Sequence, residues 1–520
     1  MMWKCRYHRS MKSACFRMSS CLIGSILICI VGITTAFGAD VPAPNSTAVK
    51  KSTESKESVV TVETVAGKDL KAVRLYPLDQ IPDSAEIREA ITASWFSAPI
   101  EKVIKKAPEL HTDSKGNTFT VSGKYAEDSR NIYTISIVPH LTDYSFPEHN
   151  LIPQGTWILY RRVDTGAPLS IKIYPRENPA LSISLRPASQ KAYSGKSFID
   201  ICLFNAYVRK DIAIGVPFET LYHISLLRLK SLSQAIIPWD LFNPPRDNSS
   251  VKTMSRIVEN LRYHLVRLKD GCFDHDGKPV HISSSQPQTE AEITASMNID
   301  QIRSEIIGGV DSAGFAKWII DGMIRPIAGQ GTVIEALKRE TDAPKTHFIR
   351  PYLDTENVFF GLDWIRNLGA AALSLNLNRT VYPDSSGLDV NSCPFALTGA
   401  AIPINTNAKT GLLKQPAFLG YQRYAGYQTS YLLPLLYYLT IVEPDHFYLA
   451  CISTVSSATE LRMYDRIAVF FPYFDSLGEF HLDIYEDGGK VPVDAFIEKN
   501  KDAYTAMIRV RAPEAGLFNP

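Results

Sequence analysis

An excess of charge of either sign is the first thing this 520-residue chain lacks: 55 lysines and arginines stand against 54 acids, a formal net charge of +1. No basic field able to hold a nucleic-acid backbone follows from that balance, so nucleic acid is not an expected partner. Paired cysteines are lacking as well. Cys5, Cys15, Cys21 and Cys29 crowd near the N-terminus, while Cys202, Cys272, Cys393 and Cys451 are widely spaced and form no CxxC pair. A cysteine zinc site is therefore not expected, and lone buried thiols are a plainer expectation than one or two disulfides. "YSGKS" ending at Ser197 lacks the first glycine of a phosphate loop, with Gln190 in its place, and reads as a turn. Asp274-His275-Asp276-Gly277 lacks the terminal glutamate of a calcium loop and reads the same way. Nothing in the sequence implies a cofactor or a metal, and no internal repeat is visible.

What is present begins with "MMWKCRYHRSMKSACFRMSS", which carries Lys4, Arg6, Arg9, Lys12 and Arg17 and no acid. The apolar "CLIGSILICIVGITTAFGAD" follows. A basic segment, an apolar core and small residues at Ala36 and Gly38 make a secretory signal over 1–39, cut after Gly38 or Ala39. An uncleaved membrane anchor is the rival reading. Export to the periplasm is the expectation, with a mature chain that does not span the membrane. Residues 40–75, rich in Ser, Thr, Lys and Glu, read as a disordered tether. A helical segment is expected over 76–115, capped by Asp83 with Glu86 as its reciprocal partner.

Period-two alternation marks a β-rich module over 116–225, as in "GTWILYRRV" and "LSIKIYP", of a sandwich-like or barrel-like kind. Residues 226–299 read as a connecting region with a helix whose face carries Met254, Ile257, Leu261, Leu265 and Leu268. Beyond residue 300 come helices and then the strands "HFYLACIS", "RIAVFFPYF" and "EFHLDIYE". That order gives an α+β domain and, with the module before it, an α+β class for the chain.

Chemistry is sought first in "GGVDSAGFAKWIIDG", where Ser312 stands at a helix start. Orphan amides and the helix dipole there favour negative charge. They lower a thiol's pKa usefully but do not make an alkoxide, so a serine nucleophile needs a base. The alternative is that Ser312 or Asp311 merely caps the helix. His446 at the opening of one strand and His481 near the start of another are candidate partners. Tyr421, Tyr424, Tyr427 and Tyr431 would stack sugars or peptides, or simply pack. Arg350, Asp354, Glu356, Asp363, Arg366 and Asn367 read as solvated caps and ion pairs.

"VDSAGFAKWI" resembles the Asp-Cys-Ser-Gly-Phe segment of NlpC-type, papain-like cell-wall cysteine peptidases, with Asp311, Gly314 and Phe315 matching. "HFYLACIS" resembles that family's histidine strand. The resemblance implies a C-terminal domain over 300–520, a helix packed on a small antiparallel sheet, with a large insertion at about 378–427. It implies Ser312 in the nucleophile position, His446 as base, and His481, or alternatively Asp483, as the orienting group. Serine cannot reach the thiolate–imidazolium state of such a site. The resemblance therefore implies a degenerate domain that binds cell-wall peptide or glycan. A peptidoglycan peptidase or amidase using Ser312, and a non-catalytic envelope scaffold, are the alternatives.

Overall fold

Alternation becomes architecture in the first half of the chain. The computed structural model describes residues 75–520, except 128, 142–151, 189–194, 205, 244–248, 342–357, 386, 393, 396–419, 423–424, 458–460, 477 and 514–516. The signal, the tether, Cys393 and most of the expected insertion lie outside the described residues. Helices α1 (Ala85–Ile91) and α2 (Ile100–Val103) replace the one long helix expected near the start, since Pro99 cannot continue it. The expected capping box does not form. Ser84 is the N-cap, Asp83 accepts from the Leu226 amide and pairs with Arg88, and Glu86 accepts from Ser114.

Eight strands follow: β1 (Glu109–Thr112), β2 (Thr118–Ala126), β3 (Ser129–Pro139), β4 (Thr156–Arg162), β5 (Pro168–Tyr174), β6 (Leu181–Pro187), β7 (Ser197–Leu203) and β8 (Ala206–Ile214). They pair antiparallel in chain order as one meander, not as the two facing sheets of a sandwich. Each strand hydrogen-bonds to the next one along the chain, so no strand crosses to a second sheet. Every second residue, such as Ile135, Ile137, Trp157, Leu159, Ile183 and Leu185, is buried. Arg161 donates to the Trp95 and Ala98 carbonyls and fastens the helical segment to β4.

The second half opens with α3 (Leu226–Ser233), α4 (Ser249–Leu261) and β9 (Leu265–Arg267). Leu265 and Leu268 thus leave the expected helix face, because the chain turns into a strand at Leu265. A hairpin of β10 (Gly271–Phe273) and β11 (Pro279–His281), α5 (Glu290–Ala295) and β12 (Gly308–Val310) come next. Helices α6 (Ser312–Ala328), α7 (Ile334–Leu337) and α8 (Phe360–Leu377) follow. The last elements are β13 (Tyr421–Gln422), β14 (Gly426–Gln428), α9 (Leu432–Val442), β15 (His446–Val455), β16 (Arg462–Phe474), β17 (Phe480–Glu486), β18 (Gly489–Val491), α10 (Val493–Lys499) and β19 (Tyr504–Arg511). They build a seven-stranded sheet in the order β13-β14-β19-β15-β16-β17-β18, antiparallel throughout. The chain is α+β.

The two faces of this second sheet serve different cores. Tyr448, Ala450 and Ile452 face the core that also holds the meander and α9. Phe447, Leu449 and Cys451 face the core built by α4, α6 and α8. Val251, Met254 and Val258 belong to the latter, so the segment expected to connect two modules is part of the second core. Cys272 and Cys451 are buried free thiols there. Burial pushes the Cys272 thiol up to about 12.

Candidate functional site: the start of helix α6 and its cleft

Strand β12 lies parallel to β9 and delivers the chain to α6. Asp311 is the N-cap, its Oδ1 accepting from the Gly314 amide at 2.7 Å, and Ser312 is the first residue of the helix. Burial raises the Asp311 carboxyl to about 7; the Gly314 and Ala313 amides oppose this, and Asp270 and Asp487 add to it. The helix runs back across β16, with Phe315 stacked on Trp318 and 6.0 Å from the Tyr485 ring. A left-handed Gly329 ends it.

The histidines carried over by resemblance lie elsewhere. Residue 446 has the parity of Tyr448 and Ala450, so it projects from the sheet face opposite α6. Its Nδ1 is buried without a hydrogen-bond partner. Burial holds its imidazole below the ordinary value; Glu443 works against this, and Arg509 and Arg511 work with it. His481 shares the parity of Tyr485 and so the α6 face, but it sits at the far end of β17. The start of α6 is at the near end: a Cβ on Gly488 would lie 3.6 Å from Val310 and Phe315. Five strand residues from 481 to 486 separate the two by roughly 16 Å. His481 pairs with Asp475 at 3.1 Å and stacks on Tyr473. Asp483 accepts from Ser255 at 2.6 Å and pairs with Lys490 at 2.8 Å. The structure therefore brings Asp311 and Ser312 together and leaves His446, His481 and Asp483 in three other settings.

A cleft of about 470 Å³ opens beside the β12–α6 junction, between β9, the 296–304 segment and the β17–β18 turn. Arg262, Tyr263, Arg267, Asn298, Gln301 and Asp487 are among its walls. Arg267 pairs with Asp487 at 2.5 Å, and the Arg262 guanidinium lies 4.6 Å from the centre of the Tyr263 ring. Tyr263 and Arg267 are exposed. Such a volume takes a small polar ligand, and guanidinium, amide and aromatic groups suit carboxylates, amides and flat faces. Sequence reading missed these residues because they come from three separate segments, and no local spacing joins them.

One part of the chain has a family counterpart. Residues 77–241 match a domain of unknown function (DUF8515). The matched segment runs from before α1, through the whole meander, to the helical turn Trp239–Phe242, so the expected helical segment and β-rich module fall in one unit. No curated protein and no solved structure matches the chain.

The remaining candidates have structural employment. Tyr421 and Tyr427 pack ring to ring at 4.9 Å, the Tyr427 hydroxyl donates to the Ser392 carbonyl, and Tyr431 packs on Phe395. Tyr424 lies outside the described residues, as do Arg350, Asp354 and Glu356. Arg366 pairs with Asp389, Asp363 accepts from Thr341, and Asn367 donates to the Leu337 carbonyl. Asp274 closes its turn by accepting from the Asp276 and Lys278 amides. Among the described residues no helix is long and apolar enough to cross a membrane. The alternative anchor before residue 40 lies outside them.

Proposed function

We propose that this is an exported envelope protein that binds cell-wall peptide or glycan, without turning it over, in the cleft beside the start of α6. The observation that carries the non-catalytic reading is the parity of β15. A serine at a helix start needs a hydrogen-bonded base, and His446 lies across the sheet from it. The active-hydrolase alternative asks Ser312 and His446 to act as one unit, and this arrangement gives that alternative no support. The open cleft favours a ligand-binding protein over a pure scaffold, since a scaffold needs no unfilled, mixed-charge recess. NlpC-type ancestry of the α6 segment fits the local likeness at Asp311, Gly314 and Phe315. Periplasmic residence follows from reading 1–39 as a cleaved signal.

Calorimetric titration with disaccharide-peptide muropeptides, together with mass spectrometry of the mixture, tests this. The expected result is one-site binding, weakened about tenfold by Tyr263→Ala or Arg267→Ala, with no products formed. Turnover that disappears in Ser312→Ala would overturn the non-catalytic reading. Absence of binding would leave the scaffold. Activity gained only in Ser312→Cys would show that a base does reach the helix start.

A further inference from the structure

The hairpin between β16 and β17 gathers a second set of chemically capable side chains, away from the cleft. One ligand atom from each of Asp475, Glu479 and His481 lies within 4.8 Å of the others. The hairpin presents them in a fixed frame. The Asp475 amide donates to the Glu479 carbonyl at 3.0 Å, and the Gly478 amide to the Asp475 carbonyl at 2.9 Å. The Glu479 amide donates to Asp475 Oδ1, also at 2.9 Å. The His481 ring lies almost parallel to Tyr473, with centroids 5.2 Å apart, which limits its rotation.

A separate observation comes from the meander. Glu177, just beyond β5, has a side chain only 8% exposed, and its Oε2 has no hydrogen-bond partner. Its neighbour Arg176 donates to the Gly478 carbonyl within the same hairpin, and its Nε stands 3.9 Å from Glu177 Oε2. Glu479 and Asp475 stand close enough to Glu177 to act on its charge. Three carboxylates gather here around one guanidinium and one imidazole, so donor oxygens outnumber cationic groups in a partly buried place.

We propose that Asp475, Glu479 and His481, with Glu177 behind them, bind one divalent transition-metal ion that ties the β16–β17 hairpin to the end of β5. One imidazole nitrogen among carboxylate oxygens is a donor set for Zn²⁺ or Mn²⁺. Ca²⁺ wants six to eight oxygens and is the poorer fit. The ion adds positive charge among these carboxylates and sits where Arg176 already reaches from the meander to the hairpin.

Calorimetric titration of the chelator-stripped, full-length protein with ZnCl₂, MnCl₂ and CaCl₂ tests the site. Parallel thermal melts follow each addition, and circular dichroism checks that each variant is folded. The expected result is one Zn²⁺ or Mn²⁺ per chain, bound at least tenfold more tightly than Ca²⁺. Affinity should fall tenfold or more in Glu479→Gln, His481→Ala and Glu177→Gln, and the metal-induced rise in Tm should vanish with it. Glu479 and His481 are partly exposed, so their variants keep the test decisive if the Glu177 variant does not fold. Failure of the native chain to take up either metal one to one, or native-like binding by the Glu479 and His481 variants, overturns the proposal. The latter result would mark an adventitious ion only.

Discussion

Three residues carried the likeness to a peptidase motif, and each has a packing role in this fold. Asp311 caps α6, Phe315 fills the second core, and Gly314 lies where a Cβ would strike the Gly271 carbonyl oxygen and stand 2.9 Å from the Cys272 Cα. Backbone on that side cannot give way cheaply, so Gly314→Ala is expected to cost about 3 kcal/mol in urea unfolding. A neutral result would mean that the α6 start moves freely. Asp311 gives a prediction with a pH signature. Its carboxyl rises from an ordinary value near 3.8 to about 7 in the folded chain, so the folded state holds the proton more tightly. Stability from this group is full below the ordinary value, declines as pH rises through the window between the two, and is lost above about 7. Asparagine keeps the cap acceptor and removes the buried charge. Asp311→Asn should therefore leave stability nearly unchanged at pH 4 and raise it by about 2 kcal/mol at pH 8. Thermal melts across that range check it; an equal effect at both ends would mean that the carboxylate is not the cause.

Elements show where the sequence speaks and where it stops. Strands β15 and β16 were legible as short, near-continuous apolar runs, which suit strands buried on both faces, and β17 by its alternation. Helices α8 and α9 were legible because apolar side chains crowd them over at least three turns. Which face His446 takes was not legible. That depends on strand parity relative to α6, and only tertiary packing places α6 on the odd-numbered side of β15. The cleft was hidden for the same reason, since Arg262, Asn298 and Asp487 meet only after β9 pairs with β12. A third feature escaped notice inside α6 itself: Lys317 and Asp321, one turn apart, are both buried and ion-paired. Asp321 also accepts from the Thr332 amide and hydroxyl, each at 2.8 Å, which anchors the segment after the helix. Breaking a buried pair from one side leaves the other charge without compensation. Lys317→Met should cost about 3 kcal/mol, and Asp321→Asn should cost a similar amount while loosening residues 329–333. Urea unfolding with hydrogen exchange over that segment measures both; a loss under 1 kcal/mol for Lys317→Met would show that Arg325, 3.8 Å from Asp321, takes over the pairing.

At the scale of the molecule, the division into a β module and a C-terminal domain does not describe how the apolar surface is buried. One core runs from Trp95 and Trp157 through the meander to Tyr437, Tyr448 and Phe474, so the meander and one face of the second sheet exclude water together. Tyr437 sits at that junction. Its ring meets Phe204 at 5.6 Å, Phe474 at 5.4 Å and Phe480 at 5.2 Å, and its hydroxyl donates to the Leu241 carbonyl at 2.8 Å. Phe204 belongs to the turn between β7 and β8, within the family-matched segment, whereas Phe474 and Phe480 belong to the second sheet. Truncation of a buried aromatic removes transfer energy and leaves a cavity, so Tyr437→Ala should cost about 4 kcal/mol. The more telling readout is where the loss appears. A shared core predicts faster hydrogen exchange in β7 and β8 as well as in α9 and β17, and one cooperative melting transition displaced as a whole. Two separable modules predict a loss confined to α9 and the second sheet, with the meander melting as before. That second pattern would break the one-core description. It would also weaken the case for a metal ion joining the same two sheets at the Glu177 end, because a bridging ion couples their unfolding.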